Sequence, residues 1–308
     1  MDLSGPLTER LLRLATREGY TLTALPDVRL LRCDRPLQRT PVLYEPGIVI
    51  VCQGRKWGHF GERDYLYDAS HYLAVSVPVP FDMQTHASAR EPLLAVYLQL
   101  DLEVAAELLV ELADQGASTP QAPASMVSSP MDEALQGSLL RLLDALASPL
   151  EAQLLGPALR REIYYRVFTG PQGAALRAAL GNQEHFGRIA GALRTLHQQY
   201  AQPLKVQDLA AQAHMSPAAF HLHFKAVTAT SPIQYLKSLR LHRARLLMLQ
   251  QGLAAAAASY QVGYESPSHF GREFKRLFGR SPQQEVERLR QAFAYPAGAD
   301  APLYVASH

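Results

Sequence analysis

The sequence is poor in cysteine and tryptophan and has no long apolar run. Two cysteines, Cys33 and Cys52, among 308 residues are too few for a disulfide framework. No apolar stretch approaches the ~18 residues that a membrane span requires. The opening Met-Asp-Leu-Ser-Gly-Pro has neither the basic segment nor the apolar stretch of a secretory signal. We therefore expect a cytoplasmic protein that does not enter a membrane.

Motifs of common enzyme classes are also lacking. The chain has no Gly-x-Ser-x-Gly, no phosphate-binding glycine loop and no dinucleotide-binding fingerprint. His221 and His223 lie two residues apart in a segment expected to be helical, so their side chains point about 200° apart and cannot share a metal ion. These observations predict a protein that is not an enzyme and holds neither a metal nor a cofactor.

Positive charge is concentrated in the C-terminal third of the chain. Residues 205–290 hold 12 Lys and Arg against 5 Asp and Glu, whereas the remainder holds 18 against 23. A basic segment on an otherwise acidic chain favours a module that binds a polyanion, joined to a module that does not. The length of 308 residues suits two such domains.

Residues 27–100 alternate short β-rich runs with turn residues. Many short strands at this spacing are typical of a small barrel or sandwich. The unbroken apolar run of residues 48–52 predicts a strand buried on both faces. Strands are expected at 28–33, 47–53, 55–60, 64–67, 71–77, 81–86 and 93–100, helices at 6–17, 102–113, 131–147 and 150–169, and a loop at 115–130.

Two windows of the C-terminal third repeat one another. Residues 216–232 and 266–282 agree at seven of seventeen positions, including both Ser-Pro pairs and a Phe-x-x-x-Phe-Lys core. Such self-similarity indicates a structural unit that occurs twice. A helix over 232–250 is expected to link the two units.

Each unit has the pattern of a helix, a tight turn and a second helix. Ser216 and Ser266 are expected to cap the second helices, with a proline at the first helical position. Gly263 suits the turn of the second unit, whereas His214 takes that place in the first unit and has to tolerate a left-handed conformation. The second helix of a helix-turn-helix enters the major groove of DNA.

Residues of about 190–290 carry a specific set of motifs. These are Leu209-Ala210, Met215-Ser216, the two Phe-x-x-x-Phe-Lys windows, Arg240-Leu241-x-x-Ala244, Val262-Gly263-Tyr264 and Gly279-Arg280-Ser281-Pro282. With them the segment resembles the AraC/XylS family of bacterial transcription regulators. One departure is Thr230, at or near the place where the first unit of the family usually has glycine.

The upstream residues resemble the N-terminal domain of one subgroup of that family. The supporting motifs are Tyr44-Glu45-Pro46, Gln53-Gly54-Arg55-Lys56, Tyr65-x-Tyr67-Asp68, Tyr72-Leu73, Arg161-Glu162-Ile163-Tyr164-Tyr165-Arg166 and Gly170-Pro171-Gln172-Gly173. The resemblance implies an α+β protein. Residues 1–185 would form a cupin-like β-barrel with a helical extension that senses an effector and mediates dimerisation. Residues 186–295 would form an all-α domain of two helix-turn-helix units.

The resemblance also implies a function and its partners. The chain would be a sequence-specific DNA-binding regulator of transcription, with double-stranded operator or promoter DNA, an unknown small-molecule effector, a second copy of the chain and RNA polymerase as partners. One alternative is a cupin-type enzyme with a helical appendage, but the expected barrel segment lacks a close His-x-His metal motif with a downstream carboxylate. A second alternative is a regulator whose barrel serves only for dimerisation.

Residues opposite the two phenylalanines of each second helix are the candidate DNA contacts. Arg272 is the candidate for reading guanine, since a guanidinium binds that base bidentately, whereas the first unit is expected to read thymine methyl groups or DNA shape. Arg240 and Arg243 of the linking helix are expected to contact phosphates or to remain surface charge. At 100° per residue the candidates are Ala218, His221, Leu222 and Lys225 in the first unit, and Ser268, Gly271, Arg272 and Lys275 in the second.

Aromatic residues of the barrel are candidates for lining an effector cavity, or alternatively for simple core. They are Tyr44, Trp57, Tyr65, Tyr67, Tyr72 and Tyr97. A leucine stripe at helical spacing and the apolar helix at 102–113 are candidates for a homodimer interface, or for packing within the chain. The stripe comprises Leu135, Leu139, Leu142 and Leu146.

Overall fold

The computed structural model describes residues 4–115, 121–181 and 184–292. Within them the strands are β1 (Gly19–Leu22), β2 (Val28–Cys33), β3 (Leu37–Tyr44), β4 (Gly47–Gln53), β5 (Arg55–Phe60), β6 (Arg63–Asp68), β7 (His71–Val75), β8 (Val79–His86), β9 (Leu93–Gln99) and β10 (Met126–Pro130). The N-terminal helices are α1 (Ser4–Leu14), α2 (Leu102–Asp114), α3 (Glu133–Leu146), α4 (Pro149–Thr169) and α5 (Gly173–Leu180).

The remaining helices form the C-terminal domain. They are α6 (Glu184–Gln199), α7 (Val206–Gln212), α8 (Pro217–Thr228), α9 (Pro232–Gln250), α10 (Ala255–Gln261), α11 (Pro267–Phe278) and α12 (Pro282–Ala292). A search of the described helices finds none with the length and apolar character needed to span a membrane.

Two antiparallel sheets enclose the core of the cupin-like barrel. The larger sheet has the order β1-β2-β9-β4-β7-β10 and the smaller one β3-β8-β5-β6. β4 lies between β9 and β7, and its side chains alternate between two buried clusters. Val49 and Val51 belong to the barrel interior, whereas Ile48 and Ile50 pack beneath the helices. The predicted strand with two buried faces is confirmed, and with it the α+β fold.

The helical extension covers the outer face of the larger sheet. α1 and α3 share a buried cluster with β4, in which Leu7 and Leu11 meet Leu139. Leu135, Leu139 and Leu142 are at most 2% exposed. The leucine stripe of α3 therefore packs within the chain, and its interpretation as a dimer interface is wrong.

The sequence did not predict three of the strands, because these segments become strands through pairing with a neighbouring strand rather than through a pattern of their own. β3 contains Pro41, which argues against a central strand, and β3 lies at the edge of the smaller sheet, where proline is tolerated. β10 falls in the predicted loop at 115–130, yet Met126–Pro130 pairs antiparallel with β7. Residues 116–120 of that predicted loop lie outside the described residues. β1 has four residues and pairs only with β2.

The C-terminal domain packs directly on the barrel. The Tyr235 hydroxyl of α9 donates to the carbonyl oxygen of Pro78 at 3.0 Å. The Ser125 hydroxyl donates to the carbonyl oxygen of Val227 at 2.5 Å, at the end of α8. Both α9 and α11 contact β3. The linking helix is thus held from one side by the barrel.

Candidate DNA interface and barrel interior

The two second helices of the repeat are built alike. The hydroxyls of Ser216 and Ser266 each accept a hydrogen bond from the third residue of their helix, Ala219 N and His269 N, both at 3.3 Å. Each serine precedes a proline at the first helical position. The capping prediction is confirmed, and it fixes where α8 and α11 begin.

The turns before these helices differ between the units in the way the sequence predicts. His214 has φ 51° and Gly263 has φ 85°. A Cβ on Gly263 would lie 2.3 Å from the carbonyl oxygen of Ala201, so the second turn requires glycine. The first turn accommodates histidine in the left-handed region, and the expectation for His214 is confirmed.

The glycine missing from the first unit belongs at Ala229 rather than at Thr230. Gly279 ends α11 with φ 77°, and Ala229 ends α8 at the matching place with φ 56°. Their backbone N–H groups donate to Lys275 O and Lys225 O, both at 2.9 Å. Ala229 therefore carries the left-handed strain that a glycine would remove.

The predicted contact faces lie away from the core. Phe220 and Phe224, like Phe270 and Phe274, are at most 1% exposed. Seven of the eight positions opposite them are exposed and Gly271 is half-buried. Within the described part of the chain, the exposed Arg272 guanidinium has no hydrogen bond or ion pair to the protein. Its contact with a base remains a prediction.

Arg240 makes three hydrogen bonds within the chain. Its three guanidinium nitrogens donate to the carbonyl oxygens of Tyr200, Gly263 and Gln202 at 2.6, 3.1 and 2.9 Å. Arg240 therefore fixes the turn of the second unit against the end of α6. Burial lowers the pKa of its guanidinium. Three of its five N–H groups are used within the chain, and its contact with a phosphate stays a prediction.

Arg243 is likewise used inside the molecule. Its side chain is 11% exposed, and its Nη2 lies 3.3 Å from Glu45 Oε1, in the loop between β3 and β4. The guanidinium also lies over the ring of Tyr200, 5.6 Å from the centroid. In this arrangement Arg243 joins the two domains, and because its side chain is largely buried the predicted phosphate contact is wrong for this residue.

His197 completes this junction, which we call the Glu45 junction (Glu45, His197, Tyr235 and Arg243). The Tyr235 hydroxyl uses its proton on Pro78 O, so it accepts from His197 Nε2 at 2.7 Å. The other ring nitrogen of His197, Nδ1, lies 3.4 Å from Arg243 Nη2 and 3.5 Å from Glu45 Oε1. Burial opposes ionisation of Glu45, but His197 and Arg243 outweigh it and hold the pKa of the carboxyl below its usual range.

The barrel interior holds a second polar group of residues, the Lys56 cluster (Lys56, Tyr44, Tyr67 and Tyr97). The Lys56 side chain is fully buried, and its Nζ donates to Tyr97 OH at 2.9 Å and to Tyr44 OH at 3.5 Å. Tyr44 OH lies 2.9 Å from Tyr97 OH and 3.4 Å from Tyr67 OH. Four strands, β3, β5, β6 and β9, thus bring one ammonium and three hydroxyls together.

Burial dominates the ionisation of this cluster. It lowers the pKa of Lys56 to about 7, since a charged ammonium loses its hydration there. It raises the pKa of Tyr44 to about 12, and those of Tyr67 and Tyr97 well above their ordinary value. Lys56 is consequently the cluster member whose charge changes near neutral pH.

The structure separates the aromatic residues that were candidates for an effector cavity. Tyr44 and Tyr97 belong to the Lys56 cluster, and Tyr65 packs against the same core. Trp57 points to the opposite face of β5 from Lys56 because side chains alternate along a strand. Tyr72 packs under the helices, in the other cluster. The expectation of a cavity-lining position is therefore wrong for Trp57 and Tyr72.

Lys56 was missed as a candidate site residue. Alternation along Arg55–Phe60 places Lys56 on the same face as Gly58, and that face is the buried one. A lysine at an inward position of a short strand is the signal that could have found it. The register pairs Lys56 with Tyr67 on β6.

An open groove of about 1670 Å³ runs between the barrel and the first helix-turn-helix unit. Phe60 and Tyr65 line its barrel side, and His223 and Lys225 of α8 line the other. His223 stacks on His185 of α6 with ring centroids 4.0 Å apart. Phe60 and Tyr65 also pack against the barrel core. The groove therefore borders Phe60, on the same face of β5 as Lys56, and Tyr65, on the same face of β6 as Tyr67.

Both halves of the chain match models of known protein families. A family model described as the AraC-type transcriptional regulator N-terminus matches residues 24–175, and a helix-turn-helix domain model matches residues 209–288. An apo ToxT variant from Vibrio cholerae has a TM-score of 0.58 at 10% identity and covers 88% of this chain and 99% of its own. ToxT with bound unsaturated fatty acid gives the same TM-score and identity and covers 98% of its own chain. At this identity the likeness shows a shared fold.

Curated relatives match the C-terminal segment. The RCS-specific HTH-type transcriptional activator RclR of Escherichia coli K12 is 40% identical over 86 residues, which are 28% of this chain and 30% of that protein. The Msm operon regulatory protein of Streptococcus mutans is 30% identical over 91 residues, 30% of this chain and 33% of its own. The chain spans about a third of the length of these curated relatives. Since the two family models fall on the barrel and on the repeated units respectively, the chain belongs to the AraC/XylS family of transcription regulators.

Proposed function

We propose that this chain is a sequence-specific DNA-binding regulator of transcription, and not an enzyme. The observation that carries the proposal is the matched pair of second helices. α8 and α11 have 12 residues each. Each helix begins after its own serine cap, buries two phenylalanines at equivalent positions and exposes the opposite face. The 19 residues of α9 separate them, a length of about 28 Å, comparable with the ~34 Å of one DNA turn.

The two helices differ in what they offer to base edges. α11 presents Arg272, which can bind guanine O6 and N7, together with Lys275 and Ser268. α8 presents Ala218 and Leu222, which suit thymine methyl groups, with Lys225 for a phosphate. One chain would therefore read two successive major-groove segments whose centres lie about 10 bp apart.

Residues 1–185 would bind a small effector and join two copies of the chain, and residues 186–295 would bind DNA. The ToxT structure with bound unsaturated fatty acid is a precedent for a small organic molecule in a protein of this fold. For the dimer, α4 exposes an apolar stripe. Leu150, Leu154 and Leu155 are 65%, 71% and 51% exposed, and Val110 on α2 is 63% exposed.

Selection of bound DNA from a random pool tests the regulator function. The full chain should enrich one consensus with two conserved segments. The Arg272→Ala variant should lose about 1–3 kcal/mol of DNA-binding free energy and relax its preference at one base pair. Arg13→Ala is the matched control, because Arg13 is an exposed arginine on α1 of the barrel domain, 64% exposed. No enrichment by the wild-type chain, or an unchanged consensus with Arg272→Ala, would contradict the proposal.

A further inference from the structure

The Lys56 cluster is not needed to build a barrel. A fully buried lysine costs stability unless other groups compensate for its lost hydration. We propose that the Lys56 cluster binds a small organic carboxylate, which takes the place of the Tyr44 hydroxyl at the Lys56 ammonium and thereby loosens the Glu45 junction. This inference rests on the proposed function, for which it names the class of effector and the route of coupling.

The donors of the cluster fit a carboxylate. Lys56 Nζ and the hydroxyls of Tyr44, Tyr67 and Tyr97 meet within hydrogen-bond distances of one another. A carboxylate accepts up to four hydrogen bonds, and its bonds to an ammonium inside a protein are among the strong ones. Arg29 is a second buried cation of the barrel, at 3% exposure, and the register places it beside Tyr97. Two buried cations make the interior favourable for an anion.

Tyr44 is the group that the carboxylate would displace. Its contact with Lys56 Nζ, 3.5 Å, is longer than the 2.9 Å contact of Tyr97. The Tyr44 ring packs edge-on against Phe81, with centroids 4.7 Å apart, so a carboxylate that takes the place of the Tyr44 hydroxyl has to move this ring.

The groove offers access to the cluster. Tyr65 lines the groove and lies on β6, two residues before Tyr67 and on the same face. Two residues along a strand span about 6.8 Å. Phe60 and Tyr65 are only half-buried. A small acid that moves the Tyr65 ring would therefore reach the Tyr67 and Lys56 side chains.

The chain itself connects the two polar groups. Tyr44 ends β3 inside the barrel, and the next residue, Glu45, contacts Arg243 and His197 of the C-terminal domain at 3.3 and 3.5 Å. A shift of Tyr44 moves the Glu45 backbone directly. Because the energy of an ion pair falls with distance, such a shift weakens the contacts of Glu45 and frees α9 from the barrel.

The test uses the full chain and three acids, each compared with its uncharged amide: acetate, hexanoate and benzoate against acetamide, hexanamide and benzamide. Thermal unfolding reports binding, and affinity for the selected DNA reports coupling. At least one acid, but not its amide, should raise the unfolding temperature of the wild-type chain and change its DNA affinity. Lys56→Met should abolish both effects.

Two further variants separate binding from coupling. Tyr44→Phe keeps the ring but removes the competing hydroxyl, so it should bind the acid about three- to tenfold more tightly. Glu45→Gln should keep the rise in unfolding temperature and lose the change in DNA affinity. If no acid exceeds its amide, if the response survives in Lys56→Met, or if Tyr44→Phe binds the acid no more tightly, the inference is overturned. Should Lys56→Met fail to fold, Tyr44→Phe alone decides. A wild-type chain that binds no DNA would instead contradict the proposed function, which the unfolding measurements do not depend on.

Discussion

Tyr44 and Glu45 are consecutive residues whose side chains make contacts in different places. Tyr44 contacts the barrel interior, and Glu45 contacts the C-terminal domain. The Tyr44 hydroxyl lies 2.9 Å from that of Tyr97 inside the barrel, and the Glu45 carboxylate lies 3.3 Å from Arg243 on the linking helix. One peptide unit therefore separates the barrel interior from the surface that holds the DNA-binding domain. The contact between domains can respond to events in the barrel without any long-range path.

The Glu45 and Arg243 side chains should be energetically coupled. A double-mutant cycle of Glu45→Gln and Arg243→Met, measured by chemical unfolding, should give a coupling energy of about 0.5–3 kcal/mol, because both side chains are largely buried. The exposed pair of Glu9 and Arg13, 69% and 64% exposed, is the control and should give well under ~1 kcal/mol. Additive effects at Glu45 and Arg243 would show that the two side chains do not interact energetically, and would contradict this prediction.

Lys56→Met should stabilise the fold at neutral pH. Burial lowers the pKa of Lys56 in the folded chain to about 7, whereas the unfolded chain keeps an ordinary lysine. Between those values the unfolded state binds a proton that the folded state does not, so the free energy of unfolding of the wild type rises with pH. The advantage of Lys56→Met should be largest at pH 7 and below and shrink by at most about 1.4 kcal/mol per pH unit above it.

The other titratable groups that face Lys56 do not produce this rise of the unfolding free energy near neutral pH. They are Tyr44 on β3, Tyr67 on β6, Tyr97 on β9 and Cys33 on β2, and burial raises the pKa of each. Chemical unfolding at several pH values makes the comparison, with Lys225→Met, an exposed lysine on α8, as the control. Parallel pH curves for wild type and Lys56→Met would refute the lowered pKa.

Ala229→Gly and Gly279→Ala should have opposite effects. Both residues end a second helix in the left-handed region, at φ 56° and 77°. An L-residue pays about 1–2 kcal/mol there, and glycine loses about 0.5–1 kcal/mol of chain entropy. Ala229→Gly should therefore stabilise by up to about 1 kcal/mol and Gly279→Ala destabilise by a similar amount, since no atom lies within 4 Å of the new methyl group. Thermal unfolding checks both signs, and equal signs would contradict the assignment.

Leu154→Glu should break the proposed dimer. Leu154 is 71% exposed in the apolar stripe of α4, and a carboxylate there would have to be desolvated in an interface. Sedimentation at tens of micromolar should show a dimeric wild type and a monomeric variant. Leu222→Glu, at a leucine that is 69% exposed on α8, should remain dimeric. A monomeric wild type would contradict the assembly.

Local features made the C-terminal domain predictable from the sequence. Serine caps, prolines at the first helical position and spaced phenylalanines act within a few residues, so α8, α9 and α11 could be read directly. The roles of Arg240 and Arg243 could not be read in this way. Their partners are carbonyl groups near Tyr200 and a carboxylate in the barrel, and only the folded chain brings them together.

The barrel shows the same limit. Most strands could be placed from turn residues and alternation, but the surroundings of Lys56 come from elsewhere in the fold. Tyr67 reaches Lys56 through the pairing of β5 with β6, and Tyr44 and Tyr97 reach it across the barrel interior from β3 and β9. The strand at Met126–Pro130 exists because β7 offers it an edge. Because side chains alternate along β5, Lys56 and Trp57 lie on opposite faces although they are neighbours in sequence, and only Lys56 enters the barrel interior.

The most direct test of whether one chain reads two successive segments is to change the distance between the two conserved segments of the bound DNA. A fragment with a single selected site should be compared with versions that carry ~5 bp or ~10 bp inserted between its two conserved segments. Because α9 holds the second helices at a fixed distance, the full chain should bind both insertions more weakly, by about two orders of magnitude or more, close to its non-specific affinity. Affinity that survives the ~5 bp insertion would contradict the reading of two segments by one chain.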